Sequence, residues 1–124
     1  MQNTSQTGRN YEEAVCAMLQ RFGYKILVRN FTVHNVGELD IVAIKDNEVS
    51  IFEVKSRKAS PYKFSSFGAP EYSITRSKRQ KIYKTTRYLI QKFRLHDYNI
   101  RYLAVSLLFD ERGLIQNVEF IPFD

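Results

Sequence analysis

Residues 37–55 read Gly37-Glu38-Leu39-Asp40-Ile41-Val42-Ala43-Ile44-Lys45-Asp46-Asn47-Glu48-Val49-Ser50-Ile51-Phe52-Glu53-Val54-Lys55. Two β-branched, apolar runs flank a polar turn at Asp46-Asn47, the pattern of a hairpin. Side chains alternate faces along a strand. Asp40 therefore shares a face with Val42 and Ile44, and Glu53 and Lys55 share one with Val49 and Ile51. Each strand thus carries a charge in line with residues destined for the core. Such a group is costly to bury unless it is paired or holds a metal. If they converge, Asp40 and Glu53 make an oxygen-rich donor pair suited to Mg²⁺ or Mn²⁺. Lys55 is then a cation two residues along from one of the ligands. Glu38, which opens the first strand, is expected on the face opposite Asp40.

The surrounding chain bounds what such a hairpin can belong to. Its 124 residues suffice for one domain with one core, taken here as residues 1–124, with 1–7 polar and expected to be disordered. No apolar run approaches the roughly 20 residues of a membrane helix, so no membrane partner is expected. The polar N-terminus does not resemble a secretory signal. Cys16 is the only cysteine, which excludes an internal disulfide or a cysteine-based zinc cluster within one chain and favours a reducing, cytoplasmic home.

Charge is unevenly distributed. Residues 1–55 carry six Lys/Arg against seven Asp/Glu, residues 56–101 twelve against two, and residues 102–124 one against four. Positive charge is thus concentrated just after the acidic hairpin, where it suits a polyanionic partner, most simply nucleic acid. A solvated helix face would account for the same run of charge.

Hydrophobic spacing gives the order α-β-β-β-α-β-β. Val15, Met18, Leu19 and Phe22 form the apolar stripe of a first helix that starts near residues 8–10 and stops at Gly23. Glu12 lies beside that stripe and faces inward toward the sheet; a first-turn Glu favoured by the helix dipole is the plainer alternative. Residues 24–31 read as a strand, and Gly37 sits where the chain turns into the next one. Residues 56–73 lack periodicity and mix Arg57, Lys58 and Lys63 with aromatic residues, a composition that holds phosphates and stacks on bases, or simply covers one end of a core.

A second helix spans about 75–93. Ile82, Thr86, Leu89 and Phe93 make its buried face, while Arg76, Lys78, Arg79, Lys81, Lys84 and Arg87 crowd its first half against the dipole preference. Lys78, one turn before Ile82, is placed to point toward the sheet. Strands follow at 100–109 and 119–121, the second ended by Pro122. The overall expectation is an α/β fold with a central mixed sheet flanked by helices.

Gly37-Glu38-Leu39-Asp40 followed by Phe52-Glu53-Val54-Lys55 resembles the D…ExK core of the PD-(D/E)XK nuclease superfamily. The chain more closely resembles the YraN-type uncharacterised family, UPF0102, which is predicted to share the restriction-endonuclease-like fold of archaeal Holliday-junction resolvases. Gly8-Arg9 with Glu12 and Ala14, Gly68-Ala69-Pro70, and Thr75 with Lys78 add to the match. Two positions depart from the family pattern: Tyr11 stands where a Gly is usual, and Leu103 where an Asp is usual.

The resemblance implies a metal-dependent nuclease hydrolysing phosphodiester bonds in DNA, with branched or structured DNA among the candidate substrates and DNA a more natural partner than RNA. Asp40, Glu53 and Glu12 would hold Mg²⁺ or Mn²⁺, with the Val54 carbonyl as a further donor. Lys55 would orient or deprotonate the attacking water. Arg57, Lys58, Lys63, Arg76, Lys78, Arg79, Lys81 and Lys84 would hold the nucleic-acid backbone. Two other functions stay open: a non-catalytic nucleic-acid-binding protein that retains a nuclease fold, and an α/β domain acting through protein contacts. Branched-DNA specificity would require a homodimer, with residues 100–108 and 119–121 as candidate interface strands.

Overall fold

In a computed structural model, residues 4–59 and 74–123 are described, residues 4–10 by their backbone alone. The elements are α1 (Thr4–Arg21), β1 (Lys25–Val33), β2 (Gly37–Lys45), β3 (Glu48–Lys58), α2 (Arg76–Phe93), β4 (Asn99–Phe109) and β5 (Ile115–Phe123). The five strands form one sheet in chain order. Pairing is antiparallel throughout except between β3 and β4, which run parallel across eleven residues from Glu48↔Asn99 to Lys58↔Phe109. The result is an α/β fold with a central mixed sheet and a helix on each face, as the hydrophobic spacing predicts.

Alternation along the strands sorts the core into two layers. Ile41, Ala43, Phe52, Val105 and Leu107 pack with Tyr11, Val15, Cys16 and Leu19 of α1. Val42, Val49, Ile51 and Ala104 pack with Ile82 and Leu89 of α2. In β4, residues 103–107 are all buried, so this strand is apolar without alternation, as a strand covered on both faces should be. No helix among the described residues is long and apolar enough to cross a membrane.

Several boundaries differ from the sequence reading. The α1 backbone is helical from Thr4, within the segment expected to be disordered. Thr4 and Ser5 are helix-starting residue types, and Gly8 costs the helix only about 1 kcal/mol. Phe22 leaves the expected stripe: it follows the last residue of α1 and is 60% exposed, while Tyr11 and Cys16 complete the buried face. β3 continues to Lys58 because β4 pairs with it that far, so residues 56–58 are strand, not loop. Likewise β5 does not end at Pro122. It has a partner only on the β4 side, and an edge strand tolerates the missing N–H of a proline. Of the two candidate dimer strands, residues 100–108 are paired on both sides and offer no free edge. Residues 60–73, with Lys63 and the Gly68-Ala69-Pro70 motif, lie outside the described residues.

Candidate metal site and basic helix

The hairpin ladder between β2 and β3 ends at Ile41↔Phe52. The next opposing pair is Asp40 and Glu53, and here side chains replace the ladder. The Val54 amide donates to Asp40 Oδ2 at 2.8 Å, and the Asp40 amide donates to Glu53 Oε2 at 3.4 Å. Two carboxylates are thereby pinned together at the point where the strands part, on the face covered by α2.

Glu53 is 2% exposed. Burial, reinforced by the negative charge of Asp40, pushes its carboxyl up from an ordinary 4.5 to about 7. Burial likewise raises Asp40, against the opposing pull of the Val54 N–H and of Lys78. Lys78 supplies a cation: its Nζ lies 3.6 Å from Glu53 Oε1. The helix places it there through its cap, because the Thr75 side chain accepts the Lys78 amide at 3.1 Å and opens α2 directly over the carboxylates. The inward direction read for Lys78 from its spacing to Ile82 is therefore correct.

Asp40, Glu53 and Lys78 line a cavity of about 380 Å³ together with Gly37, Glu38, Thr75, Ser77, Lys81 and Ile82. Glu38 corrects the expectation that it faces away from Asp40. Residues i and i+2 share a strand face, and both line the same cavity. Gly37 is explained differently from the sequence reading too. Its φ is not positive; a Cβ there would stand 2.6 Å from Thr85 Oγ1 and 3.4 Å from the Lys81 carbonyl. Close approach of β2 to α2, not turning, demands the glycine.

Glu12 is brought near but not into this pair. Its carboxylate lies 3.8 Å from Arg29 on β1. Burial first, and then the charge of Asp40, raises its carboxyl. Glu12 Oε1 is buried without a hydrogen-bond partner among the described residues. No group of three potential metal ligands occurs among the described residues. Lys55 follows on the same face as Glu53 and is half-buried, but neither it nor Glu12 is among the described lining of the cavity. Among the described residues Lys55 forms no ion pair with Asp40 or Glu53.

Of the expected phosphate-binding residues, Lys58, Arg76, Lys78, Lys81 and Lys84 are exposed, and Arg57 and Arg79 are half-buried. Tyr11 does not crowd Glu12 as its bulk suggests. Its ring stacks on Phe109 at 4.7 Å between centroids, and its hydroxyl donates to the Gly113 carbonyl at 3.1 Å. Leu103 is a buried core residue. Ser77 and Glu38 line the cavity without having been assigned to the site; the period-2 spacing of Glu38 from Asp40 is the signal that identifies it.

A family model for the Uncharacterised protein family UPF0102 matches residues 11–107. The chain belongs to this family. It is 38% identical over 116 residues to a UPF0102 protein of Fusobacterium nucleatum, covering 94% of this chain and 92% of the relative. A UPF0102 protein of Clostridium perfringens is 38% identical over 79% of this chain and 75% of its own length. One from Clostridium acetobutylicum is 33% identical over 89% and 85%. The match includes every residue of the carboxylate pair and the whole of α2.

Proposed function

We propose that this protein is a metal-dependent nuclease that hydrolyses phosphodiester bonds in DNA, on a restriction-endonuclease-like fold of the PD-(D/E)XK type. The observation that carries this reading is the pairing of half-buried Asp40 with buried Glu53 beneath the cationic first turns of α2. Burial raises the proton affinity of both carboxylates, and the charge of Asp40 raises that of Glu53 further, so the pair is poised to accept a cation instead. Their donor atoms are all oxygen, which fits Mg²⁺ or Mn²⁺.

Asp40 and Glu53 would hold the ion, with Glu12 outside the pair as long as Arg29 retains it. When bound, the ion supplies a Lewis acid and an acidified water. Lys55, two residues along the same strand face from Glu53, would orient the attacking water. Lys78 offsets the charge of Glu53 and would turn to a non-bridging phosphate oxygen if a divalent cation took over that role. Exposed Arg76, Lys81 and Lys84 would hold the backbone without reading bases.

A second reading is a nucleic-acid-binding protein that retains the fold without the chemistry. Two ion pairs favour it, Lys78 with Glu53 and Arg29 with Glu12, because each already occupies a carboxylate that the metal would need. The third, an interaction domain with purely structural acids, predicts a closed site with Lys55 bridging both carboxylates, and neither feature is present among the described residues.

The test is cleavage of duplex, single-stranded, flapped and four-way-junction DNA and of RNA, in Mg²⁺, Mn²⁺ or EDTA, by wild type, Asp40→Asn and Lys55→Ala. Metal-dependent cleavage lost in both variants supports the nuclease and names its substrate. Binding without cleavage, unchanged by either substitution or by EDTA, replaces it with the second reading.

A further inference from the structure

A second cavity, of about 390 Å³, adjoins the first along α2. It is lined by Val36, Lys84, Arg87, Tyr88 and Gln91. The two cavities draw their linings from neighbouring stretches of the same two segments. On one side Val36 and Gly37 are consecutive, one lining each cavity; on the other, α2 runs from Lys78 and Lys81 to Lys84 and Tyr88. Spacings of i, i+3, i+4 and i+7 put Lys84, Arg87, Tyr88 and Gln91 on one helix face, opposite the buried Ile82, Thr85, Thr86 and Leu89.

The chemistry of this second cavity differs from that of the first. It has no carboxylate among its described lining residues, it has two cations, and it has an aromatic ring 53% exposed. A solitary exposed tyrosine needs no explanation. A tyrosine lining a cavity of small-ligand size together with a lysine and an arginine is a different case. Cations hold phosphate, and a free ring face stacks on a base whatever the base is. A base inside a duplex is stacked on both faces, so the complementary ligand is an unstacked, unpaired base. From Lys78 to Tyr88 the helix covers roughly 15 Å, about four nucleotides at the spacing of a stacked strand.

We infer that this cavity is a single-strand subsite. It takes an unpaired nucleotide, with the base against Tyr88 and the phosphate between Lys84 and Arg87, a few nucleotides from the scissile phosphate at Asp40 and Glu53. The inference rests on the nucleic-acid reading above and adds that the bound strand is unpaired at this point, as in a flap, an overhang or an opened branch.

The experiment is anisotropy titration, in EDTA, of labelled oligothymidylate, oligouridylate and a blunt duplex with wild type, Tyr88→Ala, Tyr88→Phe and Lys84→Ala/Arg87→Ala. A single strand carrying 2-aminopurine serves as a stacking probe. Tyr88→Ala should weaken single-strand binding about tenfold or more while duplex binding stays within about twofold. Tyr88→Phe, which keeps the ring, should bind as wild type does, and 2-aminopurine quenching should vanish only in Tyr88→Ala. The double variant should lower the salt dependence of single-strand binding by about two phosphate contacts.

Equal loss on duplex and single strand in Tyr88→Ala, or no loss on either, overturns the subsite. If wild type binds strands and Tyr88→Ala shows the selective loss, yet no substrate is cleaved in metal, the nuclease reading falls and the subsite stands. If wild type binds no nucleic acid, both fall.

Discussion

Replacing Glu53 by Gln should stabilise the protein at pH 8. In the fold this carboxyl is pushed from an ordinary 4.5 to about 7. The folded state thus holds the proton more tightly than the unfolded chain does. Stability from the protonated group is complete below about pH 4.5 and is lost as pH rises through about 7. The displacement corresponds to about 3 kcal/mol withdrawn at pH 8. Gln keeps the volume, retains an acceptor for the Asp40 amide, and removes a negative charge from beside Asp40. It gives up the ion pair with Lys78, whose pull on the carboxylate is already included in that displacement. The net gain is about 2–3 kcal/mol, or roughly 10 °C in Tm. Thermal and urea unfolding in EDTA at pH 5 and pH 8 measures it. Glu53→Gln should be the more stable protein at pH 8 and lose that advantage at pH 5. Millimolar Mg²⁺ at pH 8 should raise the Tm of wild type and leave the variant unmoved. A variant equal to wild type at both pH values, or less stable at pH 8, refutes the view that Glu53 is held in the fold against its charge.

Gly37→Ala should cost about 1–3 kcal/mol in urea unfolding, because its Cβ would meet Thr85 Oγ1, and Thr85→Ala in the same chain should return part of the loss. Tyr11→Phe should cost about 1 kcal/mol for the lost bond to the Gly113 carbonyl. Tyr11→Gly, the residue usual in the family at this position, should cost about 3–5 kcal/mol, since the ring is buried against Phe109. Lys78→Ala should raise Mg²⁺ affinity by calorimetry, through loss of a competing cation at Glu53, while lowering the salt dependence of DNA binding by about one contact. Unchanged affinity for both ligands would show that Lys78 is a surface residue alone.

Much of this arrangement is legible in the chain because it is local. The hairpin, its turn and the shared face of Asp40, Glu53 and Lys55 follow from period-2 alternation, and the α2 face follows from period 3.6. Elements fail to be read where a partner distant in sequence decides. β3 extends past Lys55 only because β4 continues beside it, and β5 passes through Pro122 only because it is an edge. Glu12 shows the same limit: its inward direction is a helical property, but its capture by Arg29 depends on how α1 lies across β1. The position of Glu38 beside Asp40 follows from the same alternation, since i and i+2 share a strand face. The second cavity escapes sequence reading because Val36 and Tyr88 lie fifty-two positions apart, and nothing in either segment alone announces the other.

The single parallel pairing has a consequence for the order in which the molecule assembles. β2 and β3 are joined by a two-residue turn, so the acidic hairpin can form early and on its own. β3 and β4 meet only after the long crossover that contains α2 has closed, a slower event because it joins residues far apart in sequence. Until then Asp40 and Glu53 stand in water, where two ionised carboxylates cost little. Their burial and the arrival of Lys78 on α2 therefore coincide in one late step. The electrostatic penalty of the site falls on the side of the barrier that faces the native state. Substitutions that neutralise the pair should act on the rate of unfolding and leave the rate of folding nearly untouched.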